Sequence, residues 1–594
     1  MSLRNALIRT FNLTSDAHAE ALDACKLLLT FYVVESANRA QWLPYDLQFK
    51  WEAFIVNSNI SATPTVENVR LMKSSLQREF ELKLQQEKSR GVKKEATFSL
   101  SSYAPMDVDA SSNDLDDFMA KLTGSGNTSS ASNLTAFATP STSHKRKSQA
   151  STHFSQRKLF NTIDEQYNAH LPLRSQPLGN KQQPTINVVQ KPIGEYRYMF
   201  EKIKEKAEGL DDRIEYIAEA IDQSYGLHDA FDNPTRSTQA RRICCDASEG
   251  KLNEKSIQLE TSRNLGMGKR VRLDLDRLDK YALFPGQIVA VEGTNNTGKT
   301  FTVDKILMPP MPAAAPLAEK DSYNGNIQET AIDMVLAAGP YTLDDDLAYQ
   351  PLDELIKMCA KQKPDIVLLM GPFVSETHPA ISTGSVDASP ESIFREEITT
   401  RLASLAKESP GTRILVMPHA NDIIHEYPMF PQPRIRQSLL VDGVESLSNP
   451  ASIEINGNVF TIGNIDTLFS LSREEIAKSK TQSDRLGRLV RHLLQQQSFY
   501  PLFPSAIGDS IDAERTPDIQ IPFAPDFLVV PSQLKHFTRL VDNVVCINPG
   551  YLSKRQSGGT YAHLVIHPQP QRPDGNVGDE TKTRERTRVD LIKL

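Results

Sequence analysis

The chain has 594 residues, 39% of them hydrophobic, and its 67 Lys and Arg against 74 Asp and Glu leave a net charge of −7. That is enough material for about four domains and at least one large core, and the sign of the charge opposes wrapping nucleic acid over the whole surface. Five cysteines without a Cys-x-x-Cys pair exclude a cysteine zinc ribbon, a redox motif and a disulfide framework. The absence of an 18-residue apolar run predicts neither a membrane span nor a secretion signal.

Residues 1–90 read as a small helical domain. Ala21, Ala24, Leu28 and Phe31 recur at helical spacing, and Thr63-Pro64 opens a second helical pattern through Val66, Val69, Met72 and Leu76. A compact bundle on a tether is read as a docking module, with a plain structural bundle as the alternative. Residues 91–189 are read as a disordered linker. Within 97–152, 20 of 56 positions are Ser or Thr and only 8 are Leu, Ile, Val or Phe, too few to offset the entropy of ordering. Two features there suit readers outside the chain. Lys145, Arg146 and Lys147 form a short basic cluster that fits a nuclear signal. Thr139, followed by Pro140, fits a proline-directed phosphorylation site.

From 190 to 325 the pattern predicts a helical lead-in and then a small barrel. Val271, Leu273 and Leu275 alternate with Arg272, Asp274 and Asp276, and Ile288–Val291 is a continuous apolar run. Residues 326–594 read as an α/β domain. Strands over Ile332–Ala338, Asp365–Met370 and Arg413–Met417 are separated by helices through Leu352–Cys359 and Phe394–Leu405, the crossover pattern of a parallel sheet. Asn456-Gly457 marks a hairpin, and further strands are read near 527, 544 and 563.

Gly293, Gly298, Lys299 and Thr300 complete a phosphate-loop pattern. Such a loop needs a helix directly behind it, whose free N–H groups and dipole hold the phosphates. Here Phe301-Thr-Val follows, and Pro309-Pro310 closes the stretch, so a hairpin turn is the better reading and nucleotide binding is rejected. Lys269, Arg270, Arg272 and Lys299 suggest a weak contact with a nucleic-acid backbone, against which the interleaved Asp274, Asp276 and Asp279 argue.

Several segments together carry a resemblance: Leu283-Phe-Pro-Gly-Gln-Ile-Val-Ala-Val-Glu-Gly, Met370-Gly-Pro-Phe-Val, Pro418-His-Ala-Asn-Asp-Ile-Ile-His-Glu-Tyr-Pro, Pro431-Gln-Pro and Asn548-Pro-Gly-Tyr-Leu. The chain resembles the B-subunits of eukaryotic replicative DNA polymerases, and its layout is most similar to the alpha branch. The resemblance implies an OB-fold joined to a calcineurin-like phosphodiesterase domain that has lost catalysis. It further implies a nuclear, noncatalytic subunit assembled with primase and with the C-terminal region of the DNA polymerase alpha catalytic subunit, other replication factors being reached by the head. Where active phosphoesterases place Asp-x-His, Gly-Asp and Gly-Asn-His-Asp, this sequence has Ala337-Ala338-Gly339-Pro340, Gly371-Pro372 and Pro418-His419-Ala420-Asn421-Asp422. Gly371, Pro372, His419 and Asp422 are therefore read as vestigial positions, with no catalytic residue, metal or cofactor expected. A metal-dependent phosphoesterase and a phosphate-loop nucleotide-binding protein are the alternatives. Tyr427, Phe430 and the adjacent prolines are guesses for a partner-binding patch.

Overall fold

The computed structural model describes residues 153–157, 160–173, 183–200, 202–226, 237–247, 250–315, 331–479, 484–568 and 582–594. The expected helical head, Thr139 and the Lys145-Arg146-Lys147 cluster lie outside these residues.

The first described residues already belong to the folded body. Phe154 is buried among side chains of the helix-covered core. Strand β1 (Thr162–Tyr167) pairs antiparallel with the last strand of the chain, and β2 (Ile186–Val188) pairs with a hairpin strand near residue 453. The linker expected over 91–189 is thus corrected over the described residues 153–157, 160–173 and 183–189. The reason is that polar contacts hold β1, and these leave no apolar periodicity. Asp164 Oδ2 lies 2.5 Å from His536 Nε2, Gln166 Nε2 donates to Asp590 at 3.1 Å, and Asn168 Nδ2 donates to the carbonyls of Arg584 and Thr587 at 2.8 and 2.7 Å.

Helix α1 (Ile203–Tyr225) turns Ile214, Ile217 and Ile221 toward Ile288, Ala290 and Leu307, an i, i+3, i+7 stripe of the kind that buries one helix face. These three lie on the barrel, built from β3 (Ser237–Cys245), β4 (Ile257–Glu260), β5 (Arg270–Asp274), β7 (Ile288–Thr294) and β8 (Thr300–Leu307), with β6 (Tyr281–Leu283) outside the ring. Pairing runs β3-β4-β5-β8-β7 and returns to β3, β5 against β8 being the parallel step. Ile243, Leu259, Leu273, Val289, Phe301 and Val303 fill the inside. The alternation along β5 sends Arg270 and Arg272 outward.

The body begins with β9 (Ile332–Ala338), α2 (Gln350–Gln362), β10 (Ile366–Met370), a helical run from Pro390 that ends in α3 (Thr400–Glu408), β11 (Arg413–Met417) and β12 (Val444–Ser446). The strands among these are parallel neighbours. Next come the hairpin β13 (Ala451–Ile455) and β14 (Asn458–Ile462), α4 (Thr467–Glu474), β15 (Ile476–Lys478), α5 (Arg485–Gln495), β16 (Phe527–Val529), β17 (Phe537–Val541) and β18 (Val544–Asn548). The chain ends with the two-residue strands β19 (Ser553–Lys554) and β20 (Ser557–Gly558), then β21 (Thr560–Ile566) and β22 (Thr587–Lys593).

Two mixed sheets result. One has the order β1-β22-β21-β9-β10-β11-β12, the other β17-β18-β16-β14-β13-β2. Met334, Leu336, Leu368 and Met370 of the first pack on Ile453, Phe460, Phe527 and Val545 of the second. The outer face of the first sheet (Val335, Val367, Leu369) is covered by α2 and α3, and that of the second (Leu528, Cys546) by α4 and α5. The strands read as continuous apolar runs because both of their faces are buried.

Barrel and body share main-chain bonds. β6 pairs antiparallel with β15, and Gln496, just past α5, pairs through its side chain with the backbone of Ile288 on β7.

Candidate functional site

In an open α/β layer the ligand site lies beyond the carboxyl ends of the strands. Here β9, β10 and β11 end at Gly339-Pro340, Gly371-Pro372 and Pro418-His419, and the first two of these peptides are cis. The three ends are in close contact. Gly339 N donates to Met370 O and Gly371 N to Met417 O, both at 2.8 Å. A Cβ at Gly339 would lie 2.1 Å from the Pro372 carbonyl oxygen. One at Gly371 would lie 2.9 Å from Asp422 Oδ2 and 3.2 Å from His419. Only glycine fits at 339, an added carbon at 371 would have to displace Asp422, and the rings of Pro340 and Pro372 follow where ligand side chains would be needed.

The polar groups around these ends are turned to holding the fold. Asp422, fully enclosed, accepts the N–H groups of Phe373 at 2.7 Å and Val374 at 3.0 Å. Burial pushes its carboxyl up to about 7. His419 Nδ1 accepts the N–H of Asn421 at 3.0 Å, and burial drives its imidazole down to about 4, so it is neutral at physiological pH. Asn464, at the end of β14, donates through Nδ2 to the carbonyls of Gly371 and Pro418, both at 3.0 Å, and so binds the two sheets together at this edge. Its backbone N–H donates to Asn449 Oδ1, whose own amide group donates to Gln432 Oε1. Asp466 accepts from Ser532 Oγ, Gln533 N, Phe469 N and Tyr551 OH, and burial raises its pKa. His536 is turned to Asp164 on β1. His425 Nε2 lies 3.1 Å from the Pro433 carbonyl.

Two metals would need several carboxylates or imidazoles converging on one pocket. Among the described residues no group of three or more His, Cys, Asp or Glu side chains does so. The donor set does not fit a two-metal centre, because glycine and proline occupy the key positions and Asp422, His425 and His536 are hydrogen-bonded within the fold. The roles of Asn464, Asn449 and Gln432 emerge only in the fold, since single carboxamides carry no motif.

The other expected positions fall elsewhere. Gly293, Gly298, Lys299 and Thr300 form the β7–β8 hairpin, with a strand rather than a helix behind it; Lys299 N donates to Thr297 Oγ1 at 3.3 Å. Tyr427 and Phe430 do not form the expected partner patch, because both are internal. Phe430 is 0% exposed, and Tyr427 packs between Tyr196 and Tyr198 with ring centroids 4.8 and 5.2 Å apart. Its hydroxyl donates to the Tyr196 carbonyl at 2.8 Å. No helix among the described residues is long and apolar enough to cross a membrane.

Comparison with known proteins gives a consistent picture. Residues 334–539 match the family of the DNA polymerase alpha/epsilon B-subunit, and residues 207–309 match the OB domain of the DNA polymerase alpha B-subunit. The chain is 34% identical to the DNA polymerase alpha B-subunit of Schizosaccharomyces pombe over 67% of its own length and 73% of that protein. Against the Mus musculus protein of the same name it is 35% identical over 64% of each, and against that of Saccharomyces cerevisiae 31% identical over 67% of this chain and 65% of the relative. A solved chain described as a novel archaeal phosphodiesterase aligns over 44% of this chain and 100% of its own, at 11% identity and a TM-score of 0.22, a likeness too weak to carry an argument.

Proposed function

Since this chain belongs to the family of DNA polymerase alpha B-subunits, we propose that it is the noncatalytic scaffold of a nuclear DNA polymerase alpha–primase complex. The body corresponds to a calcineurin-like phosphodiesterase domain whose chemistry is gone, and the barrel is its OB-fold. One observation carries the noncatalytic reading: the ends of β9 and β10 meet as Gly339-Pro340 against Gly371-Pro372, with a contact that leaves no room for a single added carbon. A hydrolase needs cation-holding side chains at these positions.

On this reading the barrel and body act as one rigid unit that grips the C-terminal region of the catalytic subunit and stands next to primase. The N-terminal segment, with Thr139 as a phosphorylation site and Lys145, Arg146 and Lys147 as a nuclear signal, reaches other replication factors. Rigid presentation suits the role, because a partner that meets a preorganised surface loses less freedom on binding.

The test is affinity purification of the tagged full chain followed by mass spectrometry, with an assay of aryl phosphodiester hydrolysis in manganese on the same sample. Co-purification of the polymerase catalytic and primase subunits with no turnover supports the proposal. Turnover that disappears in His419→Ala establishes the phosphoesterase alternative instead.

A further inference from the structure

One stretch within residues 97–152 departs from the Ser/Thr-rich composition around it. Leu115, Phe118, Met119 and Leu122 stand at i, i+3, i+4 and i+7, the spacing that puts four side chains on one helical face. Start and stop signals agree with that period. Asn113 suits the N-cap, Asp114, Asp116 and Asp117 fall in the first turn, and Lys121 precedes Gly124 at the other end. A helix of about ten residues is too short to hold in water by itself, so this apolar face needs a surface to lie on.

The body has such a surface where the chain enters it. Arg157 and Phe160, just before β1, border a cleft of about 650 Å³ together with Glu354, Lys357, Met358 and Lys361 of α2. These four α2 residues repeat the i, i+3, i+4, i+7 spacing on the side of the helix opposite its buried Leu352, Leu355 and Cys359. Phe160 is 62% exposed and Met358 only partly covered, so the cleft keeps apolar area in water. The nearby acids are already engaged. Glu354 is bonded to Arg157, and Asp353 is shared by Lys357 at 2.5 Å and Arg401 at 3.6 Å, Arg401 being paired with Glu397 as well. Lys361 has no carboxylate partner among the described residues and leaves one positive charge in surplus.

Segment and cleft match in stripe, in sign of charge and in reach. At helical spacing Asp114 and Asp116 flank the apolar face on its two sides, and Lys357 and Lys361 stand beside Met358. Thirty residues, 123–152, lie between Leu122 and His153. They span at most about 100 Å and set an effective concentration of about millimolar at the cleft. We propose that residues 113–122 dock as an amphipathic helix in this cleft of the same chain, with Phe118 and Met119 against Phe160 and Met358 and the aspartates toward Lys357 and Lys361. Apolar burial supplies most of the affinity, since exposed ion pairs add little. Docking ties both ends of 123–152, which holds Thr139 and Lys145-Arg146-Lys147, to the body. The inference does not depend on the scaffold reading.

The test is fluorescence anisotropy with a labelled synthetic peptide of residues 110–126 on two purified proteins, the full chain and the same chain lacking 113–122. The deletion chain is expected to bind the peptide. The full chain should bind it at least about tenfold more weakly, because its own segment fills the cleft. In the deletion chain, Phe160→Ala with Lys361→Glu, both exposed positions, should weaken binding at least about tenfold. Phe200→Ala with Lys204→Glu, an exposed pair at the start of α1, should leave it unchanged. A peptide carrying Leu115→Ala and Phe118→Ala should not bind. Carbodiimide coupling of the full chain, which joins carboxylates directly to lysines, should link Asp114, Asp116 or Asp117 to Lys357 or Lys361. Mass spectrometry on a mixture of isotope-labelled and unlabelled protein should place these links within one chain. The proposal is overturned if the deletion chain ignores the peptide, if the full chain binds it equally well, if the alanine peptide binds as tightly, if the two double variants behave alike, or if the links run between chains. A deletion chain that co-purifies with the polymerase but ignores the peptide refutes this inference and leaves the scaffold proposal standing.

Discussion

Gln496 joins barrel to body, and its removal has a cost that follows from the geometry. The residue is 1% exposed. Its Oε1 accepts the N–H of Ile288 and its Nε2 donates to the Ile288 carbonyl, both at 2.8 Å, while Arg213 Nη2 on α1 donates to the Gln496 backbone carbonyl at 3.2 Å. Gln496→Ala leaves two buried backbone groups of β7 without partners. At about 1–3 kcal/mol for each, the loss is about 2–6 kcal/mol, a large part of the 5–15 kcal/mol typical of a folded domain. Gln496→Glu separates hydrogen bonding from volume. The carboxylate still accepts from the Ile288 N–H but has no proton for the Ile288 carbonyl, whereas its protonated form does. Burial raises the pKa of such a group above its unfolded value, so its contribution is complete below the unfolded pKa and lost as pH rises through the folded one. Urea unfolding followed by far-UV circular dichroism between about pH 5 and pH 8 should therefore show Gln496→Glu near wild type in acid and far weaker in base. If Gln496→Ala costs under about 1 kcal/mol, or the Glu variant shows a flat pH profile, the clasp is not what unites the two parts.

Asp422 makes a second pH prediction. Burial lifts its carboxyl from 3.8 to about 7, so its stabilising protonated form is complete below about pH 4 and lost as pH rises through about 7, a change of at most about 4 kcal/mol. The untitratable Asp422→Asn should give a flatter profile of urea midpoint against pH; a wild-type profile equally flat would refute the buried-acid account. Gly339→Ala forces a carbon against the Pro372 carbonyl and should cost over about 3 kcal/mol or prevent folding; a melting temperature within experimental error of wild type would show that the strand ends have room for a side chain. Phe430→Ala should cost about 3–5 kcal/mol in urea unfolding, yet the folded fraction should still co-purify with the polymerase, because the ring is internal. Isothermal titration with ATP should give no signal for wild type or Lys299→Ala, and heat that vanishes with the lysine would restore the phosphate loop.

The first sheet is legible in the sequence because β9, β10 and β11 are buried on both faces and spell continuous apolar runs such as Ile366–Met370. The Asn456-Gly457 turn is legible for a local reason: both residues adopt positive φ, at 45° and 78°. β1 is not, because an edge strand bonded through Asp164, Gln166 and Asn168 looks like linker. The split into two sheets also leaves no mark, since strands of either sheet carry the same apolar residues. At the strand ends the Gly-Pro pairs can be read, but the tie made by Asn464 cannot, because it depends on carbonyls more than 40 residues away. Tyr427 and Phe430 mislead because an aromatic ring fits an interior as readily as an interface.

The edge pairing of β1 also bears on how the protein is made. Gln166 and its partner Asp590 are 424 residues apart. At about 5–20 residues per second, a ribosome needs roughly 20–85 seconds between them. For that time β1 has no strand to join, and Asp164 and Gln166 keep it wettable while it waits. Tolerance of a long delay during translation is thus written into the same polar side chains that later fasten the strand to the sheet.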